Sequence, residues 1–154
     1  MKVITEPITV IGSAAFLGVM LAIGLGLVPF FYLADQGAFE DWFAEYFVFF
    51  LPAVFITSVP ALVGSITLMR RSTKGSQERR RWRNTMLGLV SVYGVTTAVH
   101  LPLNIAFWSR DLTESAFVTS LGLWTAAHIL RIAGAGLAAY SAFQANQLSQ
   151  GQPR

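Results

Sequence analysis

Long apolar runs separated by short polar segments form the main pattern of this chain. Three runs contain no Asp, Glu, Lys or Arg and cover residues 8–33, 47–69 and 84–109. A fourth, residues 117–143, is interrupted only by Arg131. Each run exceeds the roughly 20 residues that a helix needs to cross about 30 Å of hydrocarbon. The pattern predicts an all-α protein, a four-helix transmembrane bundle in which residues 1–154 form a single integral membrane domain.

The composition agrees with this prediction. The chain is 54% hydrophobic and 12% charged, whereas about 25% of the residues in a typical soluble domain are charged. It contains no cysteine, which excludes disulfides, thiolate metal sites and iron–sulfur clusters. The first apolar run is longer than the roughly 7–15-residue core of a signal peptide. We therefore expect it to be retained as the first span.

The distribution of charge predicts an orientation. Seven of the eleven basic residues lie within residues 70–83, and the segments 34–45 and 110–115 are acid-rich. Because Lys and Arg concentrate in cytoplasmic loops, loop 70–83 is predicted to be cytoplasmic. Four spans then place both termini in the cytoplasm too, in a multi-pass protein of the cell membrane. This clustering explains the net charge of +3, so we expect no nucleic-acid partner.

Small residues recur at helical spacing in the first and fourth runs. In lipid, such residues allow helix backbones to approach closely. We expect them to pack inside the bundle, and a contact in a homo-oligomer or a larger membrane complex is the alternative. The two rows are Ala14, Gly18, Ala22 and Gly26, and Ala126, Gly134, Ala138 and Ala142.

Prolines and aromatic residues are concentrated in the predicted outer half of the bundle or near its middle. Prolines tend to kink helices, so we expect kinks at Pro29, Pro52, Pro60 and Pro102. Aromatic residues crowd the segment "PFFYLADQGAFEDWFAEYFVFF". An interfacial aromatic belt accounts for this segment, and an apolar mouth that admits a lipophilic molecule is the alternative.

Polar side chains in the last two runs share helical faces. The third run carries His100, Asn104 and Trp108, and the fourth carries Trp124, His128 and Arg131. These spacings of three and four residues place each set on one face. In an antiparallel hairpin that turns near residue 114, His100 lies level with His128 and Asn104 with Trp124. Both histidines should then lie about 15–20 Å below the outer surface.

Arg131 is the most informative of these residues. An arginine at the centre of a span costs about 2.5 to 3.5 kcal/mol on translocon scales and usually marks function. No carboxylate lies in any run, so its partner must be a carbonyl, water, a ligand or another chain. The other side chains also have structural interpretations. Histidine and asparagine join helices at about 0.6 kcal/mol on average, Trp108 suits an interfacial anchor, and Trp124 suits core packing or pocket lining.

The motifs resemble those of the anthrone oxygenase-like family, a group of small four-span membrane proteins long described as a domain of unknown function. The corresponding residues are Pro102-Leu103-Asn104 on the third run, Trp124, and His128-Ile129-Leu130-Arg131 on the fourth. The resemblance covers nearly the whole chain. It implies oxidation of an anthrone to an anthraquinone by O₂ with no metal or flavin cofactor.

The resemblance and the side-chain chemistry together suggest roles for the polar residues. A neutral histidine accepts the proton whose loss makes an anthrone reactive towards O₂. We expect His128 to be this base, Arg131 and Asn104 to stabilise the oxyanion, and His100 to transfer a second proton. Trp124 and Trp108 would bind the lipophilic aromatic substrate.

Two alternatives remain open. In the first, His100 and His128 are axial ligands of a b-type haem, although hairpin helices 8–10 Å apart leave little space for one. In the second, the chain is a non-catalytic small subunit, or a lipid- or quinone-binding protein, of a larger membrane assembly. Ala126 and Ala127 favour the second, because many relatives have a polar pair there. Two histidines without an intramembrane carboxylate are a poor non-haem metal site.

Overall fold

Four long helices make up the protein. The computed structural model describes residues 2–150, and the side chains of residues 4–149. We number the helices α1 to α4, and each is long and apolar enough to cross a membrane. Helix α1 comprises Lys2–Ala22, a π turn at Ile23–Leu27, and Val28–Leu33. Helix α2 comprises Gln36–Tyr46, a 3₁₀ turn at Phe47–Phe49, and Phe50–Arg71. Helix α3 comprises Gln77–Val95, a π turn at Thr96–His100, and Leu101–Ser109, and helix α4 is Glu114–Gln150.

The helices form an up-and-down bundle. Each helix packs against its neighbours in the chain, and α1 closes the ring by packing against α4. The described residues contain no strand, and many large apolar side chains face outward on all four helices. The predicted all-α, four-helix architecture is confirmed, and the chain is a multi-pass membrane protein.

Helices α3 and α4 meet across two glycines. A Cβ atom on Gly88 would lie 2.6 Å from the carbonyl oxygen of Gly134 and 2.9 Å from the backbone nitrogen of Ala138. Gly134, Ala138 and Ala142 are buried, while Ala126 faces outward. The predicted packing of small residues on the fourth span is thus confirmed for its inner three members.

The small residues of α1 do not pack inside the bundle. Ala14, Gly18, Ala22 and Gly26 are all exposed. A Cβ built on Gly18 or Gly26 would meet no described atom within 4 Å beyond its own helix backbone. Our prediction of packing inside the bundle is therefore wrong for this row, and the oligomer contact stays a prediction. Other residues form the inward face of α1: Thr9, Ser13, Phe16, Met20 and Ile23.

The predicted first outer loop is largely helical. Asp35 caps the N-terminus of α2, and its Oδ1 accepts a hydrogen bond from the Ala38 amide at 2.8 Å. The following helical segment buries Phe39 and Phe43 completely. These two rings stack at a centroid distance of 5.3 Å and contact Phe107. Part of the aromatic segment is therefore core at one end of the bundle. An interfacial belt stays a prediction for its exposed members, which are Phe30, Tyr32, Tyr46 and Phe49.

Two π turns interrupt the helices next to prolines. The amide of Val28 bonds to the carbonyl of Ile23, and the amide of Leu101 bonds to that of Thr96, each five residues back. Pro29 and Pro102 follow directly, where they provide no amide for an α-helical bond. Both are sites where we predicted kinks. Such π bulges are rare in proteins, and those that occur are frequently found at functional sites. Both of these lie at the polar cluster described next.

Candidate functional site

The polar faces of α3 and α4 meet in the interior. The imidazole centroids of His100 and His128 lie 6.1 Å apart, and Trp124 Nε1 donates a hydrogen bond to Asn104 Oδ1 at 2.9 Å. Trp124 is fully buried, the two histidines are 1% exposed and Arg131 is 6% exposed. The predicted depth matching of the two pairs is confirmed, and the two polar faces point toward each other.

Trp124 contacts most of the other residues of this cluster. Its indole stacks on the imidazole of His128, with a centroid distance of 5.2 Å and an interplanar angle of 13°. It meets the imidazole of His100 edge to face, at a centroid distance of 4.9 Å. Phe31 from α1 contacts the indole at 5.8 Å. The hydrogen bond to Asn104 fixes the indole about its own axis. Trp124 therefore orients both imidazoles, and its ring is enclosed by protein.

A backbone oxygen of α1 determines which ring nitrogen of His128 carries the hydrogen. Its Nε2 lies 2.9 Å from the Met20 carbonyl oxygen. A carbonyl oxygen only accepts, so Nε2 carries the hydrogen and the neutral ring has its lone pair on Nδ1. That Nδ1 is buried and has no hydrogen-bond partner among the described residues. The arrangement leaves a basic nitrogen free inside the bundle.

His100 is equally buried and similarly free. Neither of its ring nitrogens makes a hydrogen bond of acceptable geometry to a described residue, although the Val95 carbonyl, five residues earlier, lies near the ring. Buried polar atoms are nearly always hydrogen-bonded in proteins. Several unpaired atoms in one cluster therefore indicate a site that receives a ligand or a proton.

Arg131 has no anionic partner within the described part of the chain. Its Nη2 lies 3.4 Å from the sulfur of Met20, and a thioether is a weak acceptor. Its Nε is buried and unpaired. The ion pair between Arg110 and Asp41 involves exposed side chains outside the cluster. A buried guanidinium that lacks a counterion is costly in a membrane span, so the site is suited to hold an anion.

Helix α1 completes the site, which the sequence did not reveal. A Cβ on Gly24 would lie 2.8 Å from Ile132 Cδ1 and 3.4 Å from His128 Nε2. Gly24 thus allows the π turn of α1 to pack against the imidazole. Met20 acts through its main-chain oxygen and its sulfur, and neither leaves a signal in the sequence. Pro29, which predicts a break in α1 near this depth, is the one available hint.

Trp108 lies apart from these residues. It is 40% exposed, and its ring contacts Phe43 at 6.0 Å. Asn104, one helical turn away, is half-buried and faces Trp124. The structure therefore brings together five of the six residues singled out from the sequence.

The cluster does not fit a haem between two imidazoles. Trp124 packs against both His100 and His128, so an indole fills the space that a porphyrin would need beside them. Across the described residues, no group of three or more His, Cys, Asp or Glu side chains is placed to hold a metal ion. The donors present are suited to transferring protons and stabilising negative charge.

Comparison of the chain with family models, with curated proteins and with solved structures finds no match. A histidine nitrogen with a lone pair, a second histidine and a guanidinium without a described counterion lie together, buried in the bundle. Such a set accepts a proton from a weak acid and stabilises the anion that remains.

Proposed function

We propose that this protein is a membrane-embedded oxygenase of the anthrone oxygenase-like type, which oxidises a lipophilic aromatic molecule with O₂ and uses no metal or flavin. One observation carries the proposal. Arg131 is buried with no anionic partner among the described residues, and one helical turn before it the Nδ1 of His128 is likewise unpaired. A reaction that creates a substrate anion would supply the missing negative charge.

The chemistry suits an anthrone. His128 Nδ1 takes a proton from the carbon opposite the carbonyl, and the enolate left behind is rich in electrons. The enolate reduces O₂ as a carbon–oxygen bond forms, and the peroxide takes up a proton. Loss of water, which carries away the second hydrogen of that carbon, leaves a quinone. One anthrone and one O₂ thus give one anthraquinone and one water.

The remaining residues have roles that follow from their contacts. Arg131 stabilises the enolate oxygen and then the peroxide. Because Asn104 Oδ1 already accepts from Trp124, Asn104 offers its amide NH₂ to the substrate oxygen. His100, whose ring lies 6.1 Å from that of His128, returns the proton to the peroxide. Trp124 is enclosed by protein, so it becomes the apolar wall for a flat substrate only once Phe31 is displaced from its ring. Trp108 would contact the substrate nearer the helix end.

The test is O₂ uptake by purified protein with anthrone as substrate. We expect His128→Gln to lower the rate by about 10²–10⁴-fold, the usual contribution of a general base. Leu130→Ala is the control, since Leu130 lies on the same helix and is 63% exposed. A rate that His128→Gln leaves unchanged, in a protein that remains folded, would rule the oxygenase out.

A second candidate is a non-catalytic subunit, or a lipid- or quinone-binding component, of a larger membrane assembly. The outward-facing small residues of α1 favour it, because no described residue of another helix packs against Gly18 or Gly26. Purification in mild detergent distinguishes the two proposals. A stoichiometric partner protein together with absent O₂ uptake would support the role as a non-catalytic subunit. Turnover of substrate by the isolated chain would exclude that role.

We also propose that loop 70–83 and both termini face the cytoplasm. Charge supports this orientation, since loop 70–83 is basic and the segments at the opposite end of the bundle are acidic. In this orientation, the aromatic end of the bundle opens toward the outside of the cell membrane.

A further inference from the structure

A groove lies at the aromatic end of the bundle, between the outer end of α1 and the start of α4. Its volume is about 290 Å³, near the lower limit for small-molecule sites. Its floor is apolar and buried, with Phe31, Phe117 and Leu121 all at most 6% exposed. Val118 on its edge is 62% exposed, so the groove opens to the surroundings of the bundle.

The groove adjoins the buried polar cluster. Phe31 lines it and also contacts the Trp124 ring at 5.8 Å. Leu121, which also belongs to the floor, lies one helical turn before Trp124 on α4. A molecule in the groove is therefore separated from Trp124 by the ring of Phe31. Phe31 belongs to the short helical segment after the π turn of α1, where the backbone departs from regular α-helical bonding.

Two carboxylates flank the apolar floor. Asp35 and Glu114 both line the groove and are exposed. Asp35 Oδ1 is used to cap α2. Glu114 makes no hydrogen bond or ion pair with any described residue, so both of its oxygens can accept. Ionised carboxylates accept hydrogen bonds only, so this edge selects a ligand that carries donors.

We propose that this groove is the binding and access site for a flat, lipophilic aromatic molecule that carries hydrogen-bond donors such as phenolic hydroxyls. The aromatic part lies on Phe31, Phe117 and Leu121, and the donors face Glu114. From there, displacement of Phe31 admits the molecule to the cluster of His128 and Arg131. This inference rests on the proposed function for the second step, whereas binding in the groove stands independently of it.

Binding is measured under nitrogen, so that O₂ cannot turn the ligand over. The probes are anthrone and 1,8-dihydroxyanthrone, titrated calorimetrically into the purified full-length protein. Val118→Trp, which fills the groove from its exposed edge, should weaken both probes at least tenfold. Leu123→Trp is the matched control, because Leu123 is 53% exposed on the same helix and does not line the groove. It should leave binding unchanged.

Glu114→Gln tests the recognition of donors. It removes the charge but keeps the size, and should weaken the dihydroxy probe about tenfold, as expected for one charge-assisted hydrogen bond, while leaving anthrone unchanged. Asp111→Asn, at an exposed acid outside the groove, is the control. An equal effect on both probes, or none on either, would overturn the assignment of donors to Glu114.

The outcomes separate this inference from the proposed function. If Val118→Trp binds the probes with wild-type affinity, the groove is not their binding site, even if His128→Gln abolishes O₂ uptake. Conversely, weakened binding in Val118→Trp supports the groove, even if O₂ uptake proves independent of His128.

Discussion

The indole of Trp124 lies face to face with the imidazole of His128, at a centroid distance of 5.2 Å and 13° from parallel. The indole nitrogen in turn bonds to Asn104 on the neighbouring helix. The position of the free Nδ1 of His128 is thus fixed from two sides, by this stack and by the Met20 carbonyl. These contacts join α1, α3 and α4 at one level of the membrane.

The bond between Asn104 and Trp124 should stabilise the fold. Asn104→Leu leaves a buried indole N–H without an acceptor, which typically costs about 1–3 kcal/mol, although polar pairs in membrane proteins average nearer to 0.6. A double-mutant cycle with Trp124→Phe, followed by thermal unfolding in detergent, measures the coupling. We expect about 1 kcal/mol, and additive effects of the two substitutions would show that the bond contributes nothing.

Gly88 should not tolerate a methyl group. The added Cβ would meet backbone atoms of α4 at 2.6 and 2.9 Å, and backbone cannot swing aside as a side chain does. We expect Gly88→Ala to lower the unfolding free energy by about 1–3 kcal/mol, the usual cost of overpacking. Thermal unfolding measures this loss.

Gly94 on the same helix is the matched control for this substitution. It has no atom within 4 Å of its Cβ position, and alanine favours a helix by up to about 1 kcal/mol over glycine. Gly94→Ala should therefore be neutral or stabilising. Equal effects at Gly88 and Gly94 would argue against the tight crossing of α3 and α4.

Arg131 should be required for function and not for folding. Arg131→Met keeps much of the side-chain length and removes a buried charge that lacks a counterion, a change that is often neutral or stabilising. We expect a thermal midpoint at least as high as that of the unchanged protein, together with loss of O₂ uptake. A protein that unfolds at a markedly lower temperature would assign Arg131 a structural role.

The orientation can be tested directly because the sequence contains no cysteine. Lys74→Cys and Asp111→Cys introduce single thiols at opposite ends of the bundle, both at exposed positions. A membrane-impermeant maleimide added to intact cells should label Asp111→Cys, and should label Lys74→Cys only after the membrane is permeabilised. The reverse pattern would invert the proposed topology.

The sequence predicted the features that depend on periodicity and depth. Charge-free runs located the four helices, and the register of an antiparallel hairpin placed His100 beside His128 and Asn104 beside Trp124. It did not predict which neighbour a helical face meets. Small residues at spacings of four in α1 therefore suggested packing inside the bundle, although they face outward.

Two further features escaped prediction for physical reasons. The charged residues after Asp35 resemble a loop, yet Asp35 caps a helix that buries Phe39 and Phe43. Asp at an N-cap position is the signal that could have indicated this helix. Met20 contributes a main-chain oxygen, which every residue possesses, so no sequence pattern marks it.

Because the anchor of His128 is a main-chain oxygen, no substitution at position 20 other than one that moves the helix removes it. The location of the imidazole hydrogen is thereby tied to the position of α1 as a whole. A displacement of α1 that breaks this contact frees Nε2 to exchange its hydrogen with Nδ1. The nitrogen that can accept a proton at the centre of the bundle is therefore selected by a helix that contributes no ionisable side chain to the cluster.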